Sequence, residues 1–239
     1  MKTILITGAN RGLGFAMAQS YAGRDDVSII ACCRSPDRAE ALHALAKARG
    51  NVRIEALDVS ELASIEQLGD TLRGQPIDIL INNAGIFGKN PPATTGFQDQ
   101  VFGNSDFEAD WIAPFRTNVI GPMKIVETLV ENIAASEDKK VVIITSIIGS
   151  VTMAPGQMFG YAASKAAANM TAKNLAVALR PHNIIVNPVH PGYAKTDMGG
   201  EAAHVGVEEA ISGVIKQIDA MSLAKTGCFL SYDGSELPW

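Results

Sequence analysis

The sequence predicts an α/β fold in which a doubly wound sheet of about seven mainly parallel strands carries helices on both faces. Short, β-branched apolar runs of strand length recur along the whole chain, and longer segments with helical periodicity separate them. Residues 79–81 and 141–144 are continuously apolar rather than alternating, as in central strands buried on both sides. Strands are expected at 3–7, 27–31, 52–56, 77–81, 141–145, 184–187 and 228–231. Helices are expected between them at 13–21, 36–48, 60–72, 107–134, 157–179 and 207–220. The length admits one domain or two at roughly 150 residues each. No linker, charge block or repeat interrupts the alternation, so residues 1–239 read as a single domain.

Composition fits that class. The chain is 47% hydrophobic and 19% charged, enough apolar material for a large core and too little charge for disorder. Twenty Lys+Arg against 25 Asp+Glu leave a net charge of −5, which argues against nucleic acid or an anionic membrane as partner. Of three cysteines, Cys32 and Cys33 are adjacent and Cys228 is remote, so neither a disulfide framework nor a metal site is expected. Reduced thiols and the lack of a charged n-region before an apolar segment point to the cytoplasm. Residues 141–164 are uncharged and long enough for a membrane span, but Gly149, Pro155, Gly156 and Gly160 break them into strand, loop and helix start.

The first strand runs into Thr7-Gly8-Ala9-Asn10-Arg11-Gly12-Leu13-Gly14, which opens the first helix. Such a turn lets the backbone approach a pyrophosphate, and the helix N-terminus offers N–H donors to it, as in Rossmann dinucleotide-binding units. No Gly-Lys-Ser/Thr ending follows, which argues against a nucleoside triphosphatase. The position after the second strand that holds an acidic ribose ligand in NAD-binding units is here Cys32-Cys33-Arg34. The Arg34 guanidinium suits a 2′-phosphate, so NADP(H) is favoured over NAD(H), with Arg11 as a second cation. Asp58 either accepts from the adenine amino group or caps the following helix near Ser60. The irregular stretch 85–103 leaves the fourth strand where open α/β sheets bind ligands.

Tyr161 and Lys165 lie four apart in a helical segment and project from one face. A nearby ammonium favours a phenolate, which would make the tyrosine a proton shuttle; the bland alternative is an ordinary helix. The pair does not stand alone. The glycine turn, Asn82-Asn83-Ala84-Gly85, Asn118, Ser146, Tyr161-Ala-Ala-Ser-Lys165 and Pro191-Gly192-Tyr-Ala-Lys-Thr196 follow in order. This series resembles the short-chain dehydrogenase/reductase family from residue 3 to about residue 197. The Arg-containing turn, the Cys-Arg ending of the second strand and the closing Asp-Gly-Ser-Glu-Leu-Pro-Trp look most like its C-factor-like and Sniffer-type carbonyl reductase branch.

The resemblance implies a catalytic set of Asn118, Ser146, Tyr161 and Lys165. Tyr161 would protonate a carbonyl oxygen as hydride arrives, Lys165 would lower the tyrosine pKa and hold the nicotinamide ribose, and Ser146 would bind the substrate oxygen. Asn118 would anchor a water in a proton relay, with a local helix irregularity. The implied cofactor-binding set is Gly8, Asn10, Arg11, Gly12, Leu13, Gly14, Arg34, Asp58, Val59, Asn83, Ala84, Gly85, Tyr161, Lys165, Pro191, Gly192 and Thr196. Ser146 precedes Tyr161 by fifteen residues, about two more than in many relatives, which makes Ser150 a substitute to consider. Only residues 197–206 follow Thr196 before the next helix, a short cover that predicts an open site. Phe87, Met153, Phe159 and Tyr193 are candidate walls. The active site is expected between the strand ends and the loops 86–105 and 193–206.

The expected activity is NADPH-dependent reduction of a ketone or aldehyde to an alcohol. Alternatives are alcohol oxidation, reduction of a 3-oxoacyl thioester, and a signalling or nucleotide-sensing protein. The partner expected is a small carbonyl or alcohol. The alanines between 162 and 178 would let two long helices pair in a homodimer or homotetramer, and packing of a small-residue helix against the sheet explains the same alanines.

Overall fold

The structure, a computed structural model, describes residues 1–95 and 100–239. In chain order the elements are β1 Lys2–Thr7, α1 Gly12–Ala22, β2 Val27–Cys33, α2 Glu40–Arg49, β3 Val52–Ala56, α3 Leu62–Thr71, β4 Ile79–Asn82, α4 Pro92–Thr95, α5 Ala113–Phe115, α6 Gly121–Ala134, β5 Lys140–Ile144, α7 Phe159–Leu179, β6 Ile185–His190, α8 Val207–Ala220 and β7 Leu230–Ser231. The seven strands form one sheet in the order β3-β2-β1-β4-β5-β6-β7, and every pairing is parallel. The doubly wound expectation is met. Its topological switch falls between β1 and β4, where the connections leave in opposite directions and open a crevice at the carboxyl ends.

Strand periodicity divides the core in two. Ile4, Ile6, Ile29, Ala31, Ile79, Ile81, Val142 and Ile144 meet Met17, Tyr21, Leu42, Ile211 and Ile215 of α1, α2 and α8 on one face. Their sequence neighbours Leu5, Ile30, Leu80, Val141 and Ile143 meet Ile65, Leu68, Ile125, Leu129, Ala168 and Ala172 of α3, α6 and α7 on the other. Both faces are apolar, so consecutive residues are buried in turn and the runs read as unbroken hydrophobic stretches. Ala168, Ala172 and Ala176 recur every fourth residue and pack on the sheet. These alanines pack within the chain, where small residues let α7 lie close to the strands.

Three segments differ from the expected elements. The helix expected at 36–48 starts as a 3-10 turn, Pro36–Arg38, before α2, which ends at left-handed Gly50 with φ 68°. The helix expected at 107–134 is interrupted by π-helical turns at Phe107–Ile112 and Arg116–Ile120. Pro114 and Pro122 explain both interruptions: neither has an N–H, so the carbonyls of Asp110 and Asn118 lose their α-helical donors. The last strand is shorter than 228–231 because the Asn187 side chain donates to the carbonyls of Lys225 and Cys228, both at 2.9 Å. Pairing with β6 is left to Leu230 and Ser231.

Among the described residues no helix is long and apolar enough to cross a membrane. Residues 96–99 of the expected loop lie outside the described residues.

Candidate active site

The crevice is a cavity of about 700 Å³ at the carboxyl ends of β1, β2, β4, β5 and β6, within the usual range for small-molecule sites of roughly 300–1,000 Å³. The glycine turn and Arg34 line it, as do Asp58, Val59, residues 83–87, Ser146, Tyr161, Lys165, Pro191, Gly192 and Thr196. Two expected site residues, Gly14 and Asn118, are not on the wall, and each has a structural reason for its place.

Gly14 lies behind the turn. A Cβ there would collide with the Gly8 carbonyl oxygen and sit 2.5 Å from Asn83 Nδ2, so only glycine lets α1 come this close to the strand ends. Asn83 is the staple across the switch point: its Nδ2 donates to the Thr7 carbonyl at 2.9 Å and to Gly8 at 3.3 Å. The Thr7 hydroxyl accepts from the backbone N–H groups of Asn83 and Ala84 at 3.0 and 2.9 Å. The ends of β1 and β4 are thereby tied together, and the phosphate-type turn is held on a rigid base.

Arg34 is exposed just past β2, and among the described residues no carboxylate pairs with it. Arg11 is different. Its Nη1 lies 3.3 Å from Asp197 Oδ2, an ion pair between the glycine turn and the loop after Thr196. The sequence offers Arg11 as a second cation for the phosphate or a solvated loop arginine; here a long-range carboxylate engages it. Asp58 forms a local turn ahead of α3 rather than capping it, since the residue before the helix is Glu61. Asp58 Oδ1 accepts from the N–H and hydroxyl of Ser60 at 3.0 and 2.6 Å, yet the residue still lines the cavity.

Asn118 is buried within the second π-helical turn. Its Oδ1 accepts from the Ile86 N–H at 2.9 Å, and its Nδ2 donates to the Ile86 carbonyl at 2.9 Å and to Ser164 Oγ at 3.0 Å. The side chain is thus a brace between the β4 loop and α7. The backbone carbonyl is the atom that Pro122 deprives of its helical donor. A Cβ on Gly85 would stand 3.2 Å from Asn118 Oδ1 and 3.5 Å from Lys165 Nζ, so Gly85 leaves open a small space between the two.

Ser146, at the end of β5, donates a hydrogen bond to the Tyr161 phenol, which favours the phenolate; burial outweighs it and pushes the phenol up to about 12. Lys165 Nζ donates to the Ile144 carbonyl at 3.0 Å and lies 5.8 Å from the centre of the Tyr161 ring. Burial lowers its ammonium to about 8. The expectation that Lys165 holds the phenol low is not met in the protein alone, because the same dry surroundings penalise both charged forms. Ser150 is excluded as a substitute: it is buried off the cavity, and its Oγ accepts from the Met153 N–H at 3.2 Å.

Among the expected walls, Phe87 and Tyr193 line the cavity; Phe87 stacks on Tyr161 with centroids 4.8 Å apart. Met153 and Phe159 point to solvent, and Met158 takes the wall position instead. The Ala93 N–H donates to the Met198 carbonyl at 3.2 Å and joins the two loops at the rim. Thr196 Oγ accepts from the Gly199 N–H at 3.3 Å within the second loop.

Residues 2–205 match the sequence profile of the short chain dehydrogenase family. The chain belongs to that family. Among solved structures, NADPH-bound carbonyl reductase from chicken fatty liver superposes with a TM-score of 0.88 at 30% identity, covering 100% of this chain and 99% of that one. The carbonyl reductase Sniffer of D. melanogaster gives 0.86 at 28% identity, with both chains fully covered. The C-signal protein of Myxococcus xanthus is 32% identical over 165 residues, 69% of this chain and 93% of that protein. The branch expected from the sequence is the one these relatives occupy.

Sequence reasoning missed His190, His204 and Tyr232, which line the same short chain dehydrogenase cavity. Burial, against the opposing charge of Asp233 and helped by His204 and Lys165, lowers the His190 imidazole to about 4, and among the described residues its buried Nδ1 has no hydrogen-bond partner. A histidine directly before Pro191-Gly192 at a strand end was the available signal. His204 and Tyr232 had none, because only tertiary folding brings residues 204 and 232 to the site.

Proposed function

We propose that this chain is an NADP(H)-dependent reductase of neutral, apolar ketones or aldehydes, with residues 1–239 acting as one domain. The observation that carries the reading is the convergence of Ser146, Tyr161 and Lys165 on the cavity that also holds the glycine turn and Arg34. Those residues fit a phosphorylated dinucleotide. Gly8, at φ 66°, brings the backbone to the cavity, Gly14 permits the helix start behind it, and Arg34 supplies an uncompensated cation. Residues 83–85, 191–192 and Thr196 would border the nicotinamide half, and Asp58 and Val59 the adenine. The cofactor, when bound, supplies the hydride that a carbonyl carbon accepts. The relatives described as NADPH-bound and as carbonyl reductases support this assignment.

Tyr161 is the proton donor in this reading. A phenol near 12 is fully protonated at neutral pH, and it still favours transfer to an oxygen becoming an alkoxide, whose conjugate alcohol is a much weaker acid than the phenol. The reverse reaction needs a phenolate, so alcohol oxidation should require higher pH, and the ratio of reduced to oxidised cofactor sets the direction. Ser146 holds the substrate oxygen, and Lys165 orients the ribose while its ammonium passes a proton inward. The Asn118 carbonyl, freed by Pro122, is the acceptor for a water on that path. The walls beyond Tyr161 include Phe87, Ile148, Met158, Tyr193 and Met198, with no lysine or arginine among them to bind the phosphates of a carrier thioester.

The test is a panel of carbonyl compounds assayed with NADPH and NADH in parallel, repeated for Tyr161→Phe. Turnover with NADPH, lost by at least ~100-fold in the variant, is expected. An inactive wild type, or an active Tyr161→Phe, would sink the assignment. We also propose self-association through α7, where Met170 and Val177 are exposed seven residues apart; a strict monomer by light scattering would rule it out.

A further inference from the structure

Gln100 stands where the loop after β4 meets the start of α7. It is completely buried, at 0% exposure, and its backbone is left-handed with φ 56°. A non-glycine residue adopts that conformation at a cost and keeps it only where its contacts enforce it. Those contacts all lead to Tyr161. Gln100 Oε1 accepts from the Tyr161 backbone N–H at 2.9 Å, and its own carbonyl accepts from the Phe159 N–H at 3.1 Å. Its Nε2 donates to the Phe87 carbonyl at 2.8 Å, and Phe87 is the residue whose ring lies on Tyr161.

α7 has no capping side chain of its own, since Met158 ahead of it makes no such bond. The first N–H groups of a helix need partners from elsewhere, and Gln100 supplies them for Phe159 and Tyr161. Two glycines make room. A Cβ on Gly88 would collide with Gln100 Nε2 and lie 2.5 Å from Asp110 Oδ1, while one on Gly160 would strike the Asp110 carbonyl.

We propose that Gln100 is the positioning residue of Tyr161, fixing the tyrosine's backbone with one end of its amide and the ring packed on the phenol with the other. The proposal rests on the reading of Tyr161 as the proton donor. Gln100 is not on the cavity wall, so it acts through Tyr161 and Phe87 rather than on substrate or cofactor. Misplacing a reacting group by about 1 Å costs up to ~100-fold in rate, which sets the expected scale.

Gln100→Met keeps the length of the side chain and removes both of its bonds. Its kcat should fall ~10- to 100-fold, with the Kd for NADPH within about twofold of wild type and a cooperative melt retained. Gln100→Glu is the conservative rescue, because a protonated carboxyl accepts with one oxygen and donates with the other, as the amide does. Among the described residues, the charged groups on the segments packed against position 100 are Asp110, with Asp106 and Lys89 bonded to it through their backbone N–H groups, and Lys165 on the helix it caps; Tyr161 is the titratable neighbour it holds. Burial beside Asp110 favours the protonated carboxyl, so the kcat of Gln100→Glu relative to wild type should rise from pH 8.5 to pH 6. The Gln100→Met ratio should stay flat.

That pH signature carries the test even where Gln100→Met does not fold. A folded Gln100→Met with kcat within twofold of wild type overturns the proposal, and so does an equal loss of kcat and NADPH affinity, or a flat ratio for Gln100→Glu. An active wild type with unaffected variants overturns this proposal alone, whereas a wild type inactive on every carbonyl overturns the reductase reading and this proposal with it.

Discussion

Replacing Arg34 with alanine should abolish most of the discrimination between NADPH and NADH. Arg34 follows the last residue of β2, is exposed, and among the described residues has no carboxylate against it. Arg11, the other cation near the turn, already sits 3.3 Å from Asp197. A 2′-phosphate therefore finds in Arg34 a guanidinium that need not leave a partner. A charge-assisted hydrogen bond contributes about 1.5–3 kcal/mol, and exposure to screening water places this one toward the lower end. Taking about 2 kcal/mol, the Kd for NADPH should rise ~30-fold while that for NADH stays within about twofold. Arg11→Ala should cost only ~5-fold, because Arg11 gives up about 1 kcal/mol of pairing with Asp197 to make a bond of about 2 kcal/mol. Fluorescence titration of both cofactors at two ionic strengths measures all of this. The wild-type preference should shrink with salt, and that of Arg34→Ala should not. Equal weakening of NADPH and NADH by the substitution, or a wild type that prefers NADH, would refute the reasoning.

Gly85→Ala places a Cβ 3.2 Å from Asn118 Oδ1 and 3.5 Å from Lys165 Nζ; we expect a loss of ~1–2 kcal/mol in denaturant unfolding and of ~10-fold in kcat. Burial lowers Lys165 to about 8 from its ordinary 10.5, so between those values the unfolded chain binds more protons and stability of the cofactor-free protein should rise with pH. Below pH 8 the full penalty is present. Lys165→Met should therefore be the more stable protein at pH 7, by about 2 kcal/mol after the lost bond to Ile144 is counted, and the advantage should fade towards pH 10.5 in thermal melts. Ketones bearing a carboxylate should show kcat/KM at least ~10-fold below their neutral esters, since Phe87, Ile148, Met158, Tyr193 and Met198, the described walls beyond Tyr161, include no arginine or lysine.

The fold was legible because it rests on local rules. A strand buried on both sides must be apolar without alternation, and residues 79–81 and 141–144 are; a helix between two such strands must cross over the sheet. The glycine turn was equally legible, since Gly8 and Gly14 meet steric demands that recur wherever a strand passes into a helix over a phosphate. What escaped depends on residues far apart in sequence. Arg11 finds Asp197 across 186 positions, Tyr161 takes its backbone partner from Gln100, and His204 and Tyr232 arrive with the loop after β6 and the chain beyond α8. The π-helical turns are an intermediate case. Pro114 and Pro122 stand openly inside the helical pattern, and each removes an N–H four residues after a carbonyl. Helical periodicity alone passes over them because both prolines are also apolar and keep the stripe intact.

The cavity is graded, and the grading orients what enters it. At one end Arg11 and Asp197 have side chains 65% and 77% exposed, and Arg34 is exposed beside them. At the other, Ser146 and Lys165 are 8% and 6% exposed, and Tyr161 lies against Phe87. Phosphates lose little by staying in the wet, cationic part, where their charge is both hydrated and paired. A neutral carbonyl gains by entering the dry part, where a hydrogen bond to its oxygen is stronger than in water. The same dryness moves Tyr161 and Lys165 away from their ordinary pKa values, so the cost to the protein of burying two ionisable groups and the strength of its hold on a developing oxyanion have one physical origin. A substitution that wets this end, such as Phe87→Ala, should bring the Tyr161 phenol back towards 10 and weaken carbonyl turnover while leaving the Arg34 end and NADPH affinity unchanged. Loss of NADPH affinity in step with turnover would show that the two ends are not separable in this way.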